Sequence, residues 1–304
     1  EIAWLEGRAR EEIDRAHRRN LDRLQSFLEE GIADGSMRAS DPHVVSRAIF
    51  GMVSWVPLAG EWVLGSGAAV RANAAAALRD VVTHGIAADR RAAFACALDV
   101  RAFAFQPGNA FDRRAAADQK VELLLQTASR LFNRAGIDGV SLDDVTAALG
   151  ATKGAFYHHL PEKKALVVRC AQRAFDLYDR FADAAETHGR TGLERATIGL
   201  HLNVQAQADV LSPLSPLTGL ESLPPRMLAQ IRKRSAAVEA RFEAFGRQGI
   251  ADGSLRSYDV RTLALAGAGA FGWIPKWSGG AGGPSPRAIA DEICALFLRG
   301  LRRR

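Results

Sequence analysis

The stretch LGATKGAFYHHLPEKKAL, residues 149–166, decides the fold of this chain. Gly150 ends one short helical pattern, and a second short pattern begins within a few residues of it. In that second pattern Phe156 and Leu160 stand four positions apart and share one helical face. Two short helices joined by a tight glycine turn are typical of a helix-turn-helix motif.

The residues before this stretch predict the helices that support it. Residues 121–135 repeat apolar side chains at the i, i+3, i+4, i+7 spacing of an amphipathic helix, which Gly136 ends. Ser141 is the predicted N-cap of the next short helix, since Asp143 and Asp144 follow where the helix dipole favours anions. The motif is therefore preceded by one long helix.

The second short helix is predicted to turn a polar face outward. Lys153 and Tyr157 lie four apart on that face, with Gly154 and His158 beside them. Such groups reach base edges and phosphates when a helix enters the major groove, and the small Gly154 permits a close approach. Neighbouring histidines at 158 and 159 point about 100° apart on a helix, so we predict no metal site.

The same stretch resembles the signature of the TetR (tetracycline repressor-like) family, whose pattern is roughly LGVSKGTLYxHFxSKxxL. The resemblance covers the turn, the Lys-Gly pair, the Tyr-x-His pair and the later Lys and Leu. It departs at Leu160, where the family has Phe, and at Asp143, where some members carry a basic residue. By this resemblance, the positions that read bases or flanking phosphates are Thr152, Lys153, Ala155, Tyr157 and His158. The positions that clamp phosphates are His159, Lys163 and Ser141.

The resemblance also implies an all-α architecture. Family members have three N-terminal helices for DNA and about six for ligand binding and dimerisation, and the last two pack as a four-helix bundle with those of a partner. Residues 271–301 are similar to the ending of members that respond to acyl thioesters and other lipids. Candidate pocket residues on the implied ligand-binding helices are Phe175, Tyr178, Phe181, His201, Gln205 and Trp273. Aromatic residues at helical spacing are equally typical of an ordinary core, so both interpretations stay open.

A long internal repeat accompanies the motif. GIADGSMR stands at residues 31–38 and GIADGSLR at residues 249–256, an offset of 218 (249 minus 31). With the same offset Trp55-Val56-Pro57 aligns with Trp273-Ile274-Pro275, and with a three-residue gap residues 70–86 align with 287–301. Scattered composition bias does not produce collinear matches of this length, so we infer an internal duplication.

The repeat predicts the organisation of the chain. We expect helices at 41–57 and 67–86 to pair with helices at 259–275 and 284–301 as an intramolecular pseudo-dimer, with a homodimer as the alternative. Roughly a hundred residues of the first unit are expected to precede Glu1, and the missing initiator Met agrees with this. The predicted segments are 1–86, the C-terminal ligand-binding and dimerisation part of a first TetR-like unit; 87–117, a connector; 118–165, the helix-turn-helix domain; and 166–304, a second ligand-binding and dimerisation domain.

Composition sets limits on function. The chain of 304 residues is 48% apolar and 24% charged, with a net charge of +6 that mildly favours nucleic acid. Three isolated cysteines and no membrane-spanning or signal segment favour a cytoplasmic protein. No nucleophile elbow, phosphate-binding loop or catalytic carboxylate pair is present, so we predict neither an enzyme nor a cofactor.

These observations together predict a transcriptional regulator. We expect it to act as a repressor on double-stranded operator DNA, from which a small apolar effector (an acyl thioester or other lipid) releases it. One alternative is a ligand- or protein-binding module in which one half has lost its DNA role. Another is an activator or nucleoid-organising protein, which shares the DNA chemistry.

Overall fold

The described part of the chain is built from α-helices. In the computed structural model it comprises residues 7–59, 68–91, 95–106, 112–150, 162–215, 220, 223–280 and 282–303. Within these ranges there is no β-strand, only two isolated bridges, so the all-α prediction is confirmed. The helices are α1 Gly7–Ala33, α2 Pro42–Ala59, α3 Ala68–His84, α4 Arg113–Ala135, α5 Leu142–Leu149, α6 Lys163–His188, α7 Gly192–Ala208, α8 Pro225–Ala251, α9 Val260–Gly267, α10 Gly269–Gly272 and α11 Pro286–Arg299, with 3-10 turns at Val100–Phe103 and Ile274–Lys276.

The first two helices of the predicted motif are α4 and α5. Helix α4 ends at Ala135, followed by Gly136 as expected, and begins at Arg113, inside the predicted connector. Ser141 caps α5, because its hydroxyl accepts from the backbone N–H of Asp144 while the Asp144 carboxylate accepts from the backbone N–H of Ser141. Gly150 ends α5 with φ 61° and ψ 24°, a left-handed conformation that glycine adopts without steric cost. Residues 151–161, which hold the second short helix of the sequence prediction, lie outside the described ranges.

A continuous apolar core joins α4 and α5 to the rest of the chain. Phe132 of α4 and Val145 of α5 are buried against Leu166 and Cys170 of α6. The same cluster continues along α6 to Ile231 of α8 and to other α8 side chains. Helix α6 is therefore the rigid element shared by the helix-turn-helix end and the larger helical part.

The repeat has the same local structure in both copies. In the first copy (α1–α3) the turn after α1 contains Gly35 with φ 79°, and in the second copy (α8–α11) the turn after α8 contains Gly253 with φ 75°. Each turn closes with one hydrogen bond, from Met37 N–H to the Gly31 carbonyl (2.7 Å) and from Leu255 N–H to the Gly249 carbonyl (2.8 Å). A positive φ at this position requires glycine, which explains why both copies keep it.

The two copies are joined by hydrogen bonds between matching segments. The turn of each copy forms backbone hydrogen bonds, both as donor and as acceptor, with the C-terminal end of the last helix of the other copy. Isolated antiparallel bridges at Met37–Arg302 and Ala87–Leu255 mark these two contacts. The matching pairs are Arg38 N to Leu301 O (2.8 Å) with Arg256 N to Ile86 O (3.0 Å), Ala87 N to Leu298 O (3.0 Å) with Arg302 N to Thr83 O (3.1 Å), and Ala88 N to Ser254 O (3.0 Å) with Arg303 N to Ser36 O (3.0 Å).

The helices α2 and α10 cross at matching glycines. A Cβ atom added to Gly51 would lie closer than 3.0 Å to the carbonyl oxygen of Gly269, and a Cβ added to Gly269 would lie as close to the carbonyl oxygen of Gly51. Around this crossing one apolar core contains side chains from both copies, including Met52 and Ile293, each at most 1% exposed. The absence of a side chain at both positions is what lets the two backbones touch.

One predicted helix is divided in the structure. The stretch 259–275 was expected as a single helix, but α9 ends at Gly267 and α10 ends at Gly272, before the 3-10 turn Ile274–Lys276. The corresponding helix α2 of the first copy is continuous and has Ile49 and Ser54 where the second copy has Gly267 and Gly272. Each glycine costs a helix about 1 kcal/mol relative to alanine, which accounts for the break.

None of the described helices has both the length and the apolar character that crossing a bilayer requires.

Candidate functional site

The predicted DNA-contacting residues fall into two groups. Ser141 and Lys163 belong to the described residues, at the start of α5 and at the start of α6. Lys163 extends its Nζ to 3.4 Å from the carbonyl oxygen of Asp138 and keeps part of its side chain in solvent. The positions outside the described residues are Thr152, Lys153, Gly154, Ala155, Tyr157, His158 and His159.

The start of α5 is a charged cap. The Ser141 hydroxyl donates to Asp144 Oδ2 at 2.7 Å, and the Ser141 backbone N–H donates to the same oxygen at 2.7 Å. These two bonds, the hydroxyl first, hold the pKa of Asp144 below its ordinary value, and the nearby Lys163 adds to the shift. The Asp144 carboxylate therefore stays ionised at the N-terminus of α5, where the helix dipole favours a negative charge.

A cavity of about 270 Å³ lies among the helices of the second unit. Its wall is mostly apolar and is formed by α6, α7, α8, α9 and α11, with the segment around Leu214 closing one side. Concave, apolar cavities with a few polar groups are the usual form of small-molecule sites. The larger side chains in its wall are Phe175, Tyr178, Leu200, Leu214, Leu220, Ile231, Phe242, Tyr258, Leu263, Phe271, Phe297 and Leu298.

The first copy of the repeat also contributes to this cavity. Trp55 of α2 and Ile86, just after α3, line it together with residues of the second unit. The Trp55 ring is held in place because its Nε1–H donates to the carbonyl oxygen of Leu265 at 2.8 Å, inside the protein. The cavity is therefore built from both copies.

The charged residues of the described cavity wall lie on one polar stripe of α8. Ser235, Glu239 and Glu243 follow one another at four-residue spacing, so they share a helical face. Burial raises the pKa of the Glu239 carboxyl above its ordinary value, and it also raises the pKa of the Tyr258 phenol, across from this stripe, to about 12. The pKa of Glu239 is further raised by the neighbouring Glu243.

Two of the predicted pocket residues line this cavity. They are Phe175 and Tyr178, one helical turn apart on α6. The Tyr178 hydroxyl accepts a hydrogen bond from Gln207 Nε2 at 3.3 Å, and burial raises its pKa to about 12. Tyr178 is therefore a neutral phenol at any physiological pH.

His201 and Gln205 do not line the cavity; they hold the connector against α7 and α11. Gln205 Oε1 accepts from the Val100 backbone N–H (3.3 Å), while its Nε2 donates to the Leu98 carbonyl (3.0 Å) and to His201 Nδ1 (2.8 Å). The proton of His201 is then on Nε2, 2.9 Å from Asp291 Oδ1. Burial lowers the pKa of His201 despite the opposing effect of Asp291, in keeping with a neutral ring.

Phe181 and Trp273 also lie outside the cavity wall. Phe181 is fully buried between α6, α7 and the 3-10 turn, where its ring meets Phe103 edge-on at 5.2 Å between centroids. Trp273 packs beside Trp55 and Ala268, with the Lys276 ammonium 4.4 Å from its ring centroid. Its Nε1–H is buried and has no hydrogen-bond partner among the described residues.

One side chain links α4 to the cavity wall. Asn133 of α4, 4% exposed, donates to the Ser212 hydroxyl (3.2 Å) and to the Pro213 carbonyl (2.9 Å), and accepts from the Ser215 backbone N–H (2.8 Å). Leu214 and Ser215 of the same segment line the cavity. Ser212 has φ 34°, a strained conformation for a residue other than glycine. The helix before the motif and the cavity therefore share one buried hydrogen-bond cluster.

Sequence reasoning missed Trp55, Glu239 and Asn133. The four-residue spacing of Ser235, Glu239 and Glu243 was visible as a polar stripe in a partly apolar helix. Trp55 was visible only as a repeat partner of Trp273, and nothing local to Asn133 marks it as a contact of residues 212–215.

The comparisons with known families match most of the chain. The family described as tetracyclin repressor-like, C-terminal domain, matches residues 1–86 and 195–301, and the family described as bacterial regulatory proteins, tetR family, matches residues 124–170. Each of the two C-terminal segments contains one copy of the GIADGS repeat.

Individual relatives agree in fold. The Transposon Tn10 TetC protein of Escherichia coli is 34% identical over 73 residues, which are 23% of this chain and 37% of that protein, so the match spans little more than a third of that relative. The structure of the TetR family transcriptional regulator PfmR from Thermus thermophilus superposes with a TM-score of 0.50 at 24% identity, over 59% of this chain and 99% of that one. The structure of the ketosteroid transcriptional regulator KstR2 of Mycobacterium tuberculosis gives 0.51 at 19% identity, over 61% of this chain and 96% of that one.

Proposed function

This chain belongs to the TetR family of bacterial transcriptional regulators, and we propose that it is a repressor which leaves its operator DNA when a small, largely apolar effector fills the cavity. The observation that carries the proposal is the hydrogen-bond cluster of Asn133, because it joins the helix preceding the DNA-binding motif to the wall of the cavity. The acyl thioester or other lipid expected from the sequence is one form of such an effector.

The DNA-contacting end consists of α4, α5, the start of α6 and the predicted recognition residues. The Ser141–Asp144 cap fixes where α5 begins, and the core around Phe132 and Val145 fixes its orientation against α4 and α6. We propose that Lys153, Tyr157 and His158 read base edges, and that Ser141, His159 and Lys163 contact phosphates.

Lys163→Ala is expected to weaken DNA binding to all sequences by a similar factor. Its Nζ lies at the start of α6 beside the Asp138 carbonyl, and its charge is available to a phosphate. Loss of one phosphate contact reduces the slope of log Kobs against log salt by about 1. Fluorescence anisotropy on one operator and one scrambled duplex across a salt series measures this slope. Lys233→Ala on α8, an exposed lysine of the ligand-binding half, is the matched control, and an unchanged slope for Lys163→Ala contradicts the phosphate contact.

The cavity and the DNA-contacting end are coupled through a strained segment. Ser212 holds a positive φ, and the segment from Ser212 to Ser215 is fixed to α4 by Asn133 and to α7 by Gln207. An effector that occupies the space beside Leu214 and Ser215 pushes on this segment. Since Asn133 follows this segment, α4 moves relative to α6. The population of molecules then shifts to an arrangement in which the spacing of the DNA-binding elements no longer fits the major groove.

We also propose that the two halves of the chain pair as an intramolecular pseudo-dimer, with segments 1–86, 87–117, 118–165 and 166–304 as its units. The reciprocal hydrogen bonds between the copies support this. The proposal that segment 1–86 is the C-terminal part of a unit is supported by Ile13, Phe27 and Val53, which are exposed at 39%, 52% and 58%. With the 218-residue offset their counterparts are Ile231, Phe245 and Phe271, and Phe245 is buried among side chains of α6 and α7. The first copy is thus the C-terminal part of a unit.

Selection of bound DNA from a random pool tests the proposal directly. We expect enrichment of a specific sequence that contains at least one half-site, the one contacted by the helix-turn-helix motif of residues 118–165. Adding apolar candidate effectors to the selected duplex is expected to lower its affinity for the protein. Failure to enrich any sequence at low salt would instead support a binding module that has lost its DNA role.

A further inference from the structure

We propose that the effector of this cavity is an organic cation, an apolar body that carries a positively charged nitrogen, rather than a fatty acid or an acyl thioester of an anionic carrier. This inference rests on the proposed function, because it names the chemical class of the molecule that occupies the same cavity.

The charges in the cavity wall have one sign. Glu239 and Glu243 line the cavity, and no lysine, arginine or histidine does so among the residues that the structure describes. An anionic ligand placed there would meet two carboxylates in a surrounding of low polarity, where like charges repel strongly. A cation placed there would instead be attracted by the two carboxylates.

Most other polar groups of the wall are already engaged. Thr197 donates to the Leu193 carbonyl at 2.7 Å, Asn203 to the Gly199 carbonyl at 2.8 Å, and Trp55 to the Leu265 carbonyl. Their hydrogen-bonding capacity is directed into the protein, so they contribute little to selecting a ligand. The charge of the α8 stripe is therefore the main polar feature that a ligand encounters.

The two carboxylates differ in their partners. Glu243 is paired with Arg247 at 2.9 Å, whose side chain is 56% exposed. Glu239 accepts from the Ser235 hydroxyl at 2.6 Å, and the charged groups that act on it are Glu243 on its own helix and Arg261 on α9. The hydroxyl satisfies one lone pair, and Arg261 offsets part of the charge of Glu239 without forming an ion pair with it in the described part of the chain. Glu239 is therefore the group that a ligand cation would contact.

The first copy of the repeat shows that the fold does not require acids at these positions. With the 218-residue offset, Leu21 corresponds to Glu239 and Gln25 to Glu243. Both α1 and α8 are 27-residue helices that lead into the same glycine turn. The carboxylates thus belong to the cavity of the second unit and not to the packing common to both copies.

The aromatic rings of the cavity suit the same ligand. Phe175, Phe242 and Trp55 line it together with Glu239. Aromatic faces attract cations, and the attraction grows when the cation is desolvated. A cavity that is lined by both a carboxylate and aromatic rings suits a quaternary or tertiary ammonium.

A series of ligands with one shared tail tests the charge preference. The probes are decyltrimethylammonium, 1-decanol, decanoate and decanoyl coenzyme A, each below its micelle concentration, titrated into the protein by calorimetry. We expect the ammonium to bind at least tenfold more tightly than decanol, and decanoate and the thioester to bind more weakly than decanol. The ammonium is also expected to release the selected operator duplex.

Variants that remove a single charge test whether Glu239 causes the preference for the ammonium. Glu239→Gln is expected to abolish the tenfold preference while leaving decanol affinity within about twofold, and Glu30→Gln, an exposed change on α1, is expected to leave both unchanged. Glu239→Leu, which introduces the residue type found at the matching position of the first copy (Leu21), serves as the second variant if Glu239→Gln does not fold. Equal binding of ammonium and decanol by the unaltered protein, or tighter binding of decanoate or the thioester, overturns the inference while the effector site stands. If none of the four probes binds, both the inference and the effector site are wrong.

Discussion

Gly51→Ala and Gly269→Ala are each expected to lower the free energy of unfolding by about 3 kcal/mol, the upper end for overpacking a tight contact. At each position the new Cβ would lie closer than 3.0 Å to a backbone carbonyl oxygen of the other copy. For Gly269 it would also meet the Trp55 side chain and the Met52 backbone. Backbone atoms of two packed helices cannot rotate away as a side chain does, so α2 and α10 must separate.

Urea denaturation followed by circular dichroism measures this loss, and Gly280→Ala is the control. A Cβ at Gly280 meets nothing within 4 Å, so this variant is expected to stay within about 0.5 kcal/mol of the unaltered protein. Light scattering on the same samples should give the mass of one chain for the unaltered protein. If Gly51→Ala and Gly269→Ala were as stable as Gly280→Ala, the close approach of the two copies would be contradicted.

Asn133→Ala is expected to uncouple effector binding from DNA release. In the unaltered protein we expect a saturating effector to weaken operator binding by at least tenfold, about 1.4 kcal/mol of coupling. Alanine removes all three hydrogen bonds from α4 to residues 212–215, so movement of the cavity wall reaches α4 only through the apolar core around α6. The half-buried Ser215 N–H loses its partner as well, which costs about 1 kcal/mol of stability.

The measurement is operator affinity with and without decyltrimethylammonium, next to the affinity for that ligand alone. We expect ligand affinity within about threefold of the unaltered protein and coupling reduced to less than threefold. Asn20→Ala on the exposed face of α1 is the control and should keep full coupling. If Asn133→Ala released the operator at the same ligand concentration as the unaltered protein, coupling through the Asn133 hydrogen bonds would be excluded.

Local signals in the sequence were sufficient to predict where the helices around the motif begin and end. Gly136, Ser141 and Gly150 each end or begin a helix where expected, because capping depends on a few neighbouring residues. The repeat likewise predicted the positions of α2, α3 and α11 to within a few residues. The resemblance implies one helix over 259–275, and this prediction is wrong because Gly267, Gly269 and Gly272 together weaken a continuous helix there.

The cavity was only partly predictable. The family resemblance predicts Phe175 and Tyr178 as pocket residues, and both line the cavity, yet the same resemblance also selects Phe181, which is core. Gln205, which is hydrogen-bonded to His201, binds the segment 98–100, a partner that lies about a hundred positions away and carries no recognisable pattern. Contacts between distant segments, such as Asn133 with residues 212–215 and Trp55 with the second unit, depend on tertiary packing that a periodicity does not encode.

The reciprocal hydrogen bonds between the copies have a consequence for how such a regulator works in a cell. Ordinary two-subunit proteins dissociate on dilution, so their active fraction depends on expression level. In the proposed pseudo-dimer the paired surfaces belong to one polypeptide, so the effective concentration of the partner is fixed by the tether and not by the number of molecules. Pairing in that arrangement does not depend on the expression level.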